Sequence, residues 1–511
     1  MELAKAMKDG ELVPENQWKA HIDSLQSNGR GSKGAVSKAL VSAVSKRIPK
    51  KKFAIMFSGG VDSSLIAYLC KKANADFVCY AVGIENSTDL VQAKTAAEEM
   101  GLKLVSKEYS LDEAEVIIKK VVKLVGTDPV AVGVGCVVYA CMELAKKDKI
   151  NTFFTGLGSE EIFAGYERHK VDDINAECWN GLKAMYQRDF LRDFAIAKSF
   201  GAKVLTPFLD SDLIKEAMLI PGAQKIKGDV KKYILREIAE ELGLPKEIAW
   251  RKKMAAQYGS KFDRAISRLA HRMNMKFKKE YLCSLVKLGA LFSSGKDSTY
   301  ALYLMQKQGY DVRCLITIKS KNTASFMFHT PNIDMTKYQA EALELPLMTF
   351  ETKGEKEIEL KDLESAIKKA KTKYDLDGII TGALFSEYQA SRIIKLCEGL
   401  GLKCYSPLWH MDQETEVREI IKAGFKIVLT AVAAEGLNKK WLGRVLTEKD
   451  VDALVAVHRK VGINIAGEGG EFESLVIDGP NFKKRLEILD SEIIEENENT
   501  ALLRIKKAKL C

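Results

Sequence analysis

Two short stretches of this chain combine small residues, hydroxyls and an acidic group in an order suited to holding phosphate: SGGVDSS at Ser58 to Ser64 and SSGKDST at Ser293 to Thr299. Each follows an apolar run with the character of a buried strand, FAIMF at Phe53 to Phe57 and LGALF at Leu288 to Phe292. Each precedes apolar residues at helical spacing, Leu65 and Leu69 or Leu302 and Met305. The loops are therefore expected at strand-to-helix turns. There small residues allow a tight bend, and amide N–H groups at the positive end of a helix dipole meet phosphate oxygens. Neither loop ends in the Lys-Ser/Thr of a Walker A motif, which disfavours γ-phosphate transfer of that kind. Two loops imply two nucleotide sites, with Ser58, Gly59, Gly60, Asp62, Ser63 and Ser64 serving one and Ser293, Ser294, Gly295 and Thr299 the other.

A second feature repeats. NTFFTG at Asn151 to Gly156 and GIITG at Gly378 to Gly382 both read as strands ending in Thr-Gly. Asp62 precedes Gly156 by 94 residues and Asp297 precedes Gly382 by 85. Unrelated turns have little reason to share such a spacing, so the chain reads as two copies of one α/β nucleotide-binding architecture, with Thr155, Gly156, Thr381 and Gly382 completing the ATP sites. Val78 to Val82 reads as the second strand of the first sheet, with Val82 placed for the adenine pocket. The order SGGxDS resembles the PP-loop of the ATP pyrophosphatase superfamily. That resemblance implies tandem adenine nucleotide alpha hydrolase-like, Rossmann-like domains with parallel sheets, and cleavage of ATP to AMP and pyrophosphate through an adenylated substrate.

The 511 residues exceed what one core holds, so roughly two to four domains are expected. A content of 46% hydrophobic and 29% charged residues is that of a globular protein. No run reaches the roughly 18 apolar residues that span a bilayer; Val130 to Met142, with two glycines, reads as a buried helix. Met1 to Gly10 lacks an apolar h-region, so no secretory signal is expected. The ten cysteines include no CxxC pair, which fits a reducing cytoplasm and argues against sulfur transfer. Of the net charge of +10, much falls between Lys225 and Lys279, with 16 Lys/Arg against 6 Asp/Glu. Aromatics are sparse there, so direct nucleic-acid binding is not expected, although the basic 225–279 stretch leaves it open.

From roughly Leu40 to Leu269 the chain resembles the synthetase domain of asparagine synthetase. The resemblance rests on VGIENSTDLVQAKTAAEEMGLKL (Val82 to Leu104), TGLGSEEIFAGYERH (Thr155 to His169), TPFLDSDLIKEAMLIP (Thr206 to Pro221) and KKYILREIAEELGLPKEIAWRKKM (Lys231 to Met254). Asp62 and the acidic pair Glu160 and Glu161 are candidates to hold Mg2+ near the phosphates; dipole pairing at a helix N-terminus is the alternative for the pair. Two departures separate function from fold. Where the family reads GEGSDE, with a Glu thought to handle a proton, this chain has GLGSEE and Leu157; and KVLTPFLD places Leu205 where the family has an arginine. A leucine moves no proton. ATP binding without asparagine synthesis is the expectation, with any nitrogen supplied as free ammonia or by a partner.

From about Leu282 onward the chain resembles the diphthine–ammonia ligase family. The resemblance rests on SSGKDSTYAL (Ser293 to Leu302), TGALFSEYQASRI (Thr381 to Ile393), GLGLKCYSPLW (Gly399 to Trp409), AAEGLNKKWLGR (Ala433 to Arg444) and GEGGEFESLVIDGP (Gly467 to Pro480). The last segment crowds Glu468, Glu471 and Glu473 around Gly469 and Gly470; carboxylates so placed repel unless a cation or substrate lies among them. The resemblance implies ATP-dependent amidation of diphthine on translation elongation factor 2. A carboxylate attacks the α-phosphate, and ammonia then displaces AMP. Lys296 with Ser293, Ser298 and Thr299 would steady the departing pyrophosphate, Asp297 would bind Mg2+ or brace the loop, and Glu387, Glu471 or Glu473 would take the ammonia proton. Tyr388, Gln389 and Arg392, just past the Thr-Gly turn, are placed with Glu468, Gly469 and Gly470 as substrate-binding residues. Ser294 stands where the family has glycine, so a positive φ there would strain it. His329, in a segment that also matches the family, is placed near the nucleotide.

The expected organisation is an N-terminal helical segment (1–39), an asparagine synthetase-like ATP-binding domain with a basic helical end (40–281), a PP-loop domain (282–400) and a small α/β extension carrying EGGEFES (401–511). Amidation of a small metabolite or tRNA is the alternative activity. For the first half the alternative is a nucleotide-sensing or substrate-docking module without turnover.

Overall fold

The computed structural model divides the chain into two compact units, Met1–Leu282 and Cys283–Cys511. It describes residues 7–8, 11–252, 255–322, 332–355, 358–385 and 387–511.

The first unit is built on five parallel strands: β1 (Phe53–Met56), β2 (Phe77–Ile84), β3 (Leu104–Tyr109), β4 (Thr152–Phe154) and β5 (Lys203–Leu205). Their order is β3-β2-β1-β4-β5. β2 is buried along nearly its whole length, as a strand covered on both faces must be. Phe53 of β1 and Phe154 of β4 set their rings 5.3 Å apart between the two central strands, and burial of each ring contributes about 1.5–3 kcal/mol. The chain leaves β1 towards β2 and β3 on one side and returns to β4 and β5 on the other. A crevice therefore opens at the carboxyl ends of β1 and β4, the usual ligand position in such sheets. Helix α1 (Val61–Lys72) starts at that crevice directly after the first loop.

Trp18 of the N-terminal segment is buried in this unit, donating Nε1–H to Leu182 O at 2.9 Å and meeting the Phe190 ring edge-on at 4.8 Å. Helix α2 (Pro129–Lys147) starts at Asp128, whose side chain accepts from Ala131 N. By length and composition it is the one described helix apolar enough to cross a membrane, yet half of that stretch is buried inside the unit, Val132, Cys136, Ala140 and Met142 completely. The basic stretch is partly internal, with Lys225 and Lys232 buried. The helix Phe262–Arg272 packs through Phe262, Ala265, Ile266 and Leu269 and exposes Arg264 and Arg268, which with Lys261 and residues 84–86 line a cavity of about 200 Å³.

The second unit repeats the sheet. β6 (Lys287–Leu291), β7 (Asp311–Ser320), β8 (Leu347–Thr352), β9 (Gly378–Ile380) and β10 (Lys403–Tyr405) are parallel in the order β8-β7-β6-β9-β10. Helix α3 (Lys296–Lys307) follows the second loop and α4 (Glu387–Gly399) follows β9. β10 lies beyond the division suggested at residue 400: its three residues carry too short an apolar signal to read as a strand, and pairing with β9 defines it. After β10, helix α5 (Gln413–Lys422) leads to an antiparallel sheet of β11 (Lys426–Ala433), β12 (Phe472–Asp478), β13 (Leu486–Asn497) and β14 (Thr500–Leu510), ordered β12-β11-β14-β13.

Candidate active site

The two loops have one shape. Gly59 and Ser294 both take left-handed backbone, at φ 68° and 73°, and Gly60 and Gly295 then extend to cap α1 and α3. Ser58 N donates to Ser63 Oγ at 3.2 Å, and Ser63 Oγ donates to Gly60 O at 3.3 Å. In the second loop Ser293 N donates to Ser298 Oγ at 3.3 Å, Ser298 Oγ to Gly295 O at 3.2 Å, and Thr299 Oγ1 to the same carbonyl at 2.8 Å. Ser63 and Ser298 therefore brace the loops. Ser64 is fully buried on α1, and its hydroxyl has no partner among the described residues.

The first loop requires glycine, because a Cβ at Gly59 would lie 2.6 Å from Gln92 O. Serine fits in the second loop but is strained, as a left-handed L-residue loses roughly 1–2 kcal/mol. Its hydroxyl is also buried without a partner among the described residues. Ser294→Gly is therefore expected to stabilise the second unit by about 1 kcal/mol, after allowing for the extra freedom of glycine in the unfolded chain; thermal unfolding of the variant checks this.

The Thr-Gly turns close against the loops. A Cβ on Gly156 would approach Asp62 Cβ to 3.0 Å, and one on Gly382 would lie 2.7 Å from Ser298 N. Thr155 Oγ1 accepts from Leu157 N at 3.4 Å, and Thr381 Oγ1 from Ala383 N at 3.3 Å. Val82 is buried near the carboxyl end of β2.

Each loop aspartate meets a buried ammonium, drawn from a different part of the chain. Lys232 Nζ lies 2.9 and 2.8 Å from the two oxygens of Asp62, 2.8 Å from Ser159 Oγ and 2.7 Å from Glu160. Ser159 Oγ also donates to Asp62. In the second unit the ammonium is the loop's own Lys296, paired with Asp297 and, at 3.0 Å, with Glu416 of α5. Burial pushes Lys296 down, but Asp297 and Glu416 outweigh it and hold the ammonium above its ordinary range. Burial pushes the Glu416 carboxyl well up and the Asp297 charge adds to that rise, with the Lys296 charge opposing. Neither Lys232 nor Glu416 was singled out from the sequence. Lys232 lies in a family-like segment, KKYILREIAEEL, but nothing there indicates its partner.

Mg2+ is usually held by one or two carboxylates together with phosphate oxygens. Asp297, with its side chain 31% exposed, fits that role. Asp62, 7% exposed, and Glu160 fit it poorly as arranged, because the cation already between them is Lys232. Glu161 is turned away: it is buried against Arg188, and burial followed by the Asp189 charge pushes it up to about 7. Among the described residues no three His, Cys, Asp or Glu side chains gather as a metal set. Leu157 packs against the apolar core of the first unit and supplies no proton-transfer group.

The EGGEFES segment lies against the second loop. Ser474 Oγ accepts from Lys296 N at 3.1 Å; Val476 N donates to Ser294 O at 3.2 Å, and Gln339 Nε2 bonds that same carbonyl at 3.0 Å and Val476 O at 2.8 Å. Glu468 accepts from Leu384 N and Phe385 N, both at 2.9 Å, and so orders the turn after β9. Glu473 is half-buried; burial and then Asp297 push it up to about 7, with Lys296 opposing. Of the three carboxylates considered for the ammonia proton, Glu473 directly precedes Ser474, the residue bonded to the second loop, and the Asp297 and Lys296 charges both act on it. Glu471 turns back into its own loop, where one oxygen accepts from Asn464 N at 2.9 Å and a Cβ at Gly469 would meet it at 2.6 Å. Gly470 takes φ 85°. Glu387 is exposed in the first turn of α4, and Arg392 is half-buried on that helix. His329 and the side chains of Tyr388 and Gln389 lie outside the described residues.

Both units match known families in sequence. Residues 286–404 match the diphthamide synthase N-terminal domain, 412–511 the diphthamide synthase C-terminal domain, and 35–181 with 168–280 asparagine synthase. The chain is 35% identical over 228 residues to the diphthine–ammonia ligase of Schizosaccharomyces pombe, a match covering 42% of this chain and 38% of that protein. A Methanocaldococcus jannaschii protein carrying an asparagine synthetase name is 32% identical over 289 residues, covering 48% of this chain and 53% of its own. The chain thus spans about half or less of these two relatives. Against the diphthine–ammonia ligase of Mus musculus it is 30% identical over 248 residues, 44% of this chain and 92% of that protein. With both diphthamide synthase domains matched in order along the second unit and nearly the whole mouse relative covered, the chain belongs to the diphthine–ammonia ligase family.

Proposed function

We propose that this chain joins ammonia to the carboxylate of diphthine on translation elongation factor 2, cleaving ATP to AMP and pyrophosphate. The observation that carries this reading is the bond from Lys296 N to Ser474 Oγ, which sets the EGGEFES segment, with Glu473 beside Ser474, against the phosphate loop. A carboxylate does not react with ammonia at neutral pH, because its oxygen leaves poorly. Attack of a carboxylate oxygen on the α-phosphate forms an acyl-adenylate and releases pyrophosphate. Ammonia then attacks the acyl carbon, the bond to AMP breaks, and the ammonia proton passes to Glu473. The amides at the start of α3 and the Lys296 ammonium offset charge on the departing pyrophosphate. Mg2+ at Asp297 would neutralise phosphate charge. The first unit keeps a loop of the same shape but has Leu157 in place of an acid, which supports a nucleotide-binding or docking role without amide formation.

The test incubates the full chain with ATP, ammonium and elongation factor 2 carrying diphthine, following AMP and the mass of the factor. AMP release that does not depend on the factor sinks the reading, and release driven by tRNA or a metabolite supports the alternative substrates. Asp297→Ala is expected to lose factor-dependent AMP release, with Asp62→Ala retaining part of it. Equal loss would refute the accessory role of the first unit.

A further inference from the structure

Phe385, Trp409 and His410 form an open aromatic corner on the second unit. The Trp409 and His410 rings lie 4.8 Å apart at 60°, and those of His410 and Phe385 5.8 Å apart at 70°. Phe385 is 38% exposed, His410 is exposed and Trp409 half-buried, so the three do not form part of a sealed core. They are nonetheless deliberately placed. Phe385 occupies the turn after β9 and the other two the turn after β10, so both turns leave the carboxyl ends of adjacent parallel strands, where ligands of such sheets bind. His410 N–H donates to Leu384 O at 2.9 Å, joining the turns, and His410 is held at φ 62°, backbone strain of the kind that collects at functional sites.

A carboxylate adjoins the corner. Glu468 accepts the Leu384 and Phe385 amides and therefore sits at the base of the corner. It also lies within the field of Asp297 and Lys296, which links the corner to the phosphate loop. Aromatic faces beside a carboxylate are the usual receptor for a quaternary ammonium group, which has no N–H to donate and is bound through its diffuse charge. Diphthine carries a trimethylammonium group on the same carbon as the carboxylate to be amidated. A receptor for the one must therefore adjoin the site that activates the other. We propose that Phe385, Trp409 and His410 hold the trimethylammonium group of the substrate and thereby present its carboxylate to the nucleotide. The proposal rests on the reading that diphthine is the substrate.

The experiment compares two forms of the factor with the full chain, one bearing diphthine and one bearing the same side chain with an unmethylated amine. The wild-type chain is expected to prefer the trimethylated form by about tenfold in kcat/KM, the scale of a partly desolvated cation–π contact. Trp409→Ala and Phe385→Ala should each collapse that preference towards unity, and Trp409→Phe should restore most of it. Tetramethylammonium chloride should compete with the trimethylated factor in the wild type and lose that effect in Trp409→Ala. A preference unchanged in both alanine variants, or no competition by tetramethylammonium, overturns the proposal. Should Trp409→Ala fail to fold by circular dichroism, Phe385→Ala at its exposed site decides the matter. A wild type silent towards both factor forms overturns the diphthine reading itself, and this inference with it.

Discussion

Glu473→Gln is expected to lower kcat by about 10²–10⁴, the usual contribution of a positioned proton acceptor, and to remove a pH limb near neutrality. Burial raises the Glu473 carboxyl first, Asp297 adds to the shift and Lys296 opposes it, leaving the group at about 7. An acceptor works deprotonated, so wild-type turnover should rise as pH climbs through about 7 and level off above it. Ammonium also yields more free ammonia as pH rises, which would tilt either curve. The ratio of wild-type to variant rate cancels that tilt: it should be small at low pH and approach its full value above 7. Glu471→Gln should change the rate far less, since Glu471 is bonded into its own loop. A ratio that stays constant between about pH 6 and 8 would assign the proton to another group.

The second large effect concerns stability. Glu416 is fully buried and Lys296 is 1% exposed, and deleting a hydrogen-bond partner of a buried charged group typically costs about 1–3 kcal/mol or somewhat more because that group remains desolvated and less well satisfied. Glu416→Ala should lose that much, detected in the full chain as faster amide hydrogen exchange along β12 and α5. Glu416→Gln should lose much less. Burial and Asp297 keep the carboxyl protonated well above its ordinary 4.5, and an amide closely matches a protonated carboxyl in shape. The pH dependence follows with its sign. Between 4.5 and the raised folded value the folded unit binds a proton that the unfolded chain has released, so stability falls as pH rises through that window. Glu416→Gln should remove this part of the slope. A glutamine variant as unstable as the alanine variant would show that Glu416 is needed as a carboxylate.

Much of the nucleotide-binding architecture was legible locally. A short apolar run, a small-residue loop and a helical repeat predict a strand, a turn and a helix because each depends on neighbours only a few residues away. Both loops and both Thr-Gly turns fall as expected at the crevice between central strands. The segment carrying EGGEFES, singled out by its resemblance, lies against the second loop, where Ser474 accepts from Lys296 N. Less legible was β10, whose three residues become a strand only through β9. The charge pairing of Asp62 and Glu160 was likewise not legible. Two carboxylates read from sequence look like a cation site, and the structure sets Lys232, 170 residues from Asp62, between them.

By itself the sequence determined that this protein carries two phosphate loops of one design, each closed by a glycine turn, because steric demands on the backbone leave few alternatives for such strings. Only the tertiary structure decided how each loop is charged. In the first unit Asp62 shares Lys232 with Glu160; in the second Asp297 shares Lys296 with Glu416, 120 residues from that lysine. It also turned Glu471 back into its own loop and seated Glu468 on the turn at Leu384. These pairings depend on where the chain returns after a hundred or so residues. Packing of the sheets sets that return, and neither spacing nor periodicity records it.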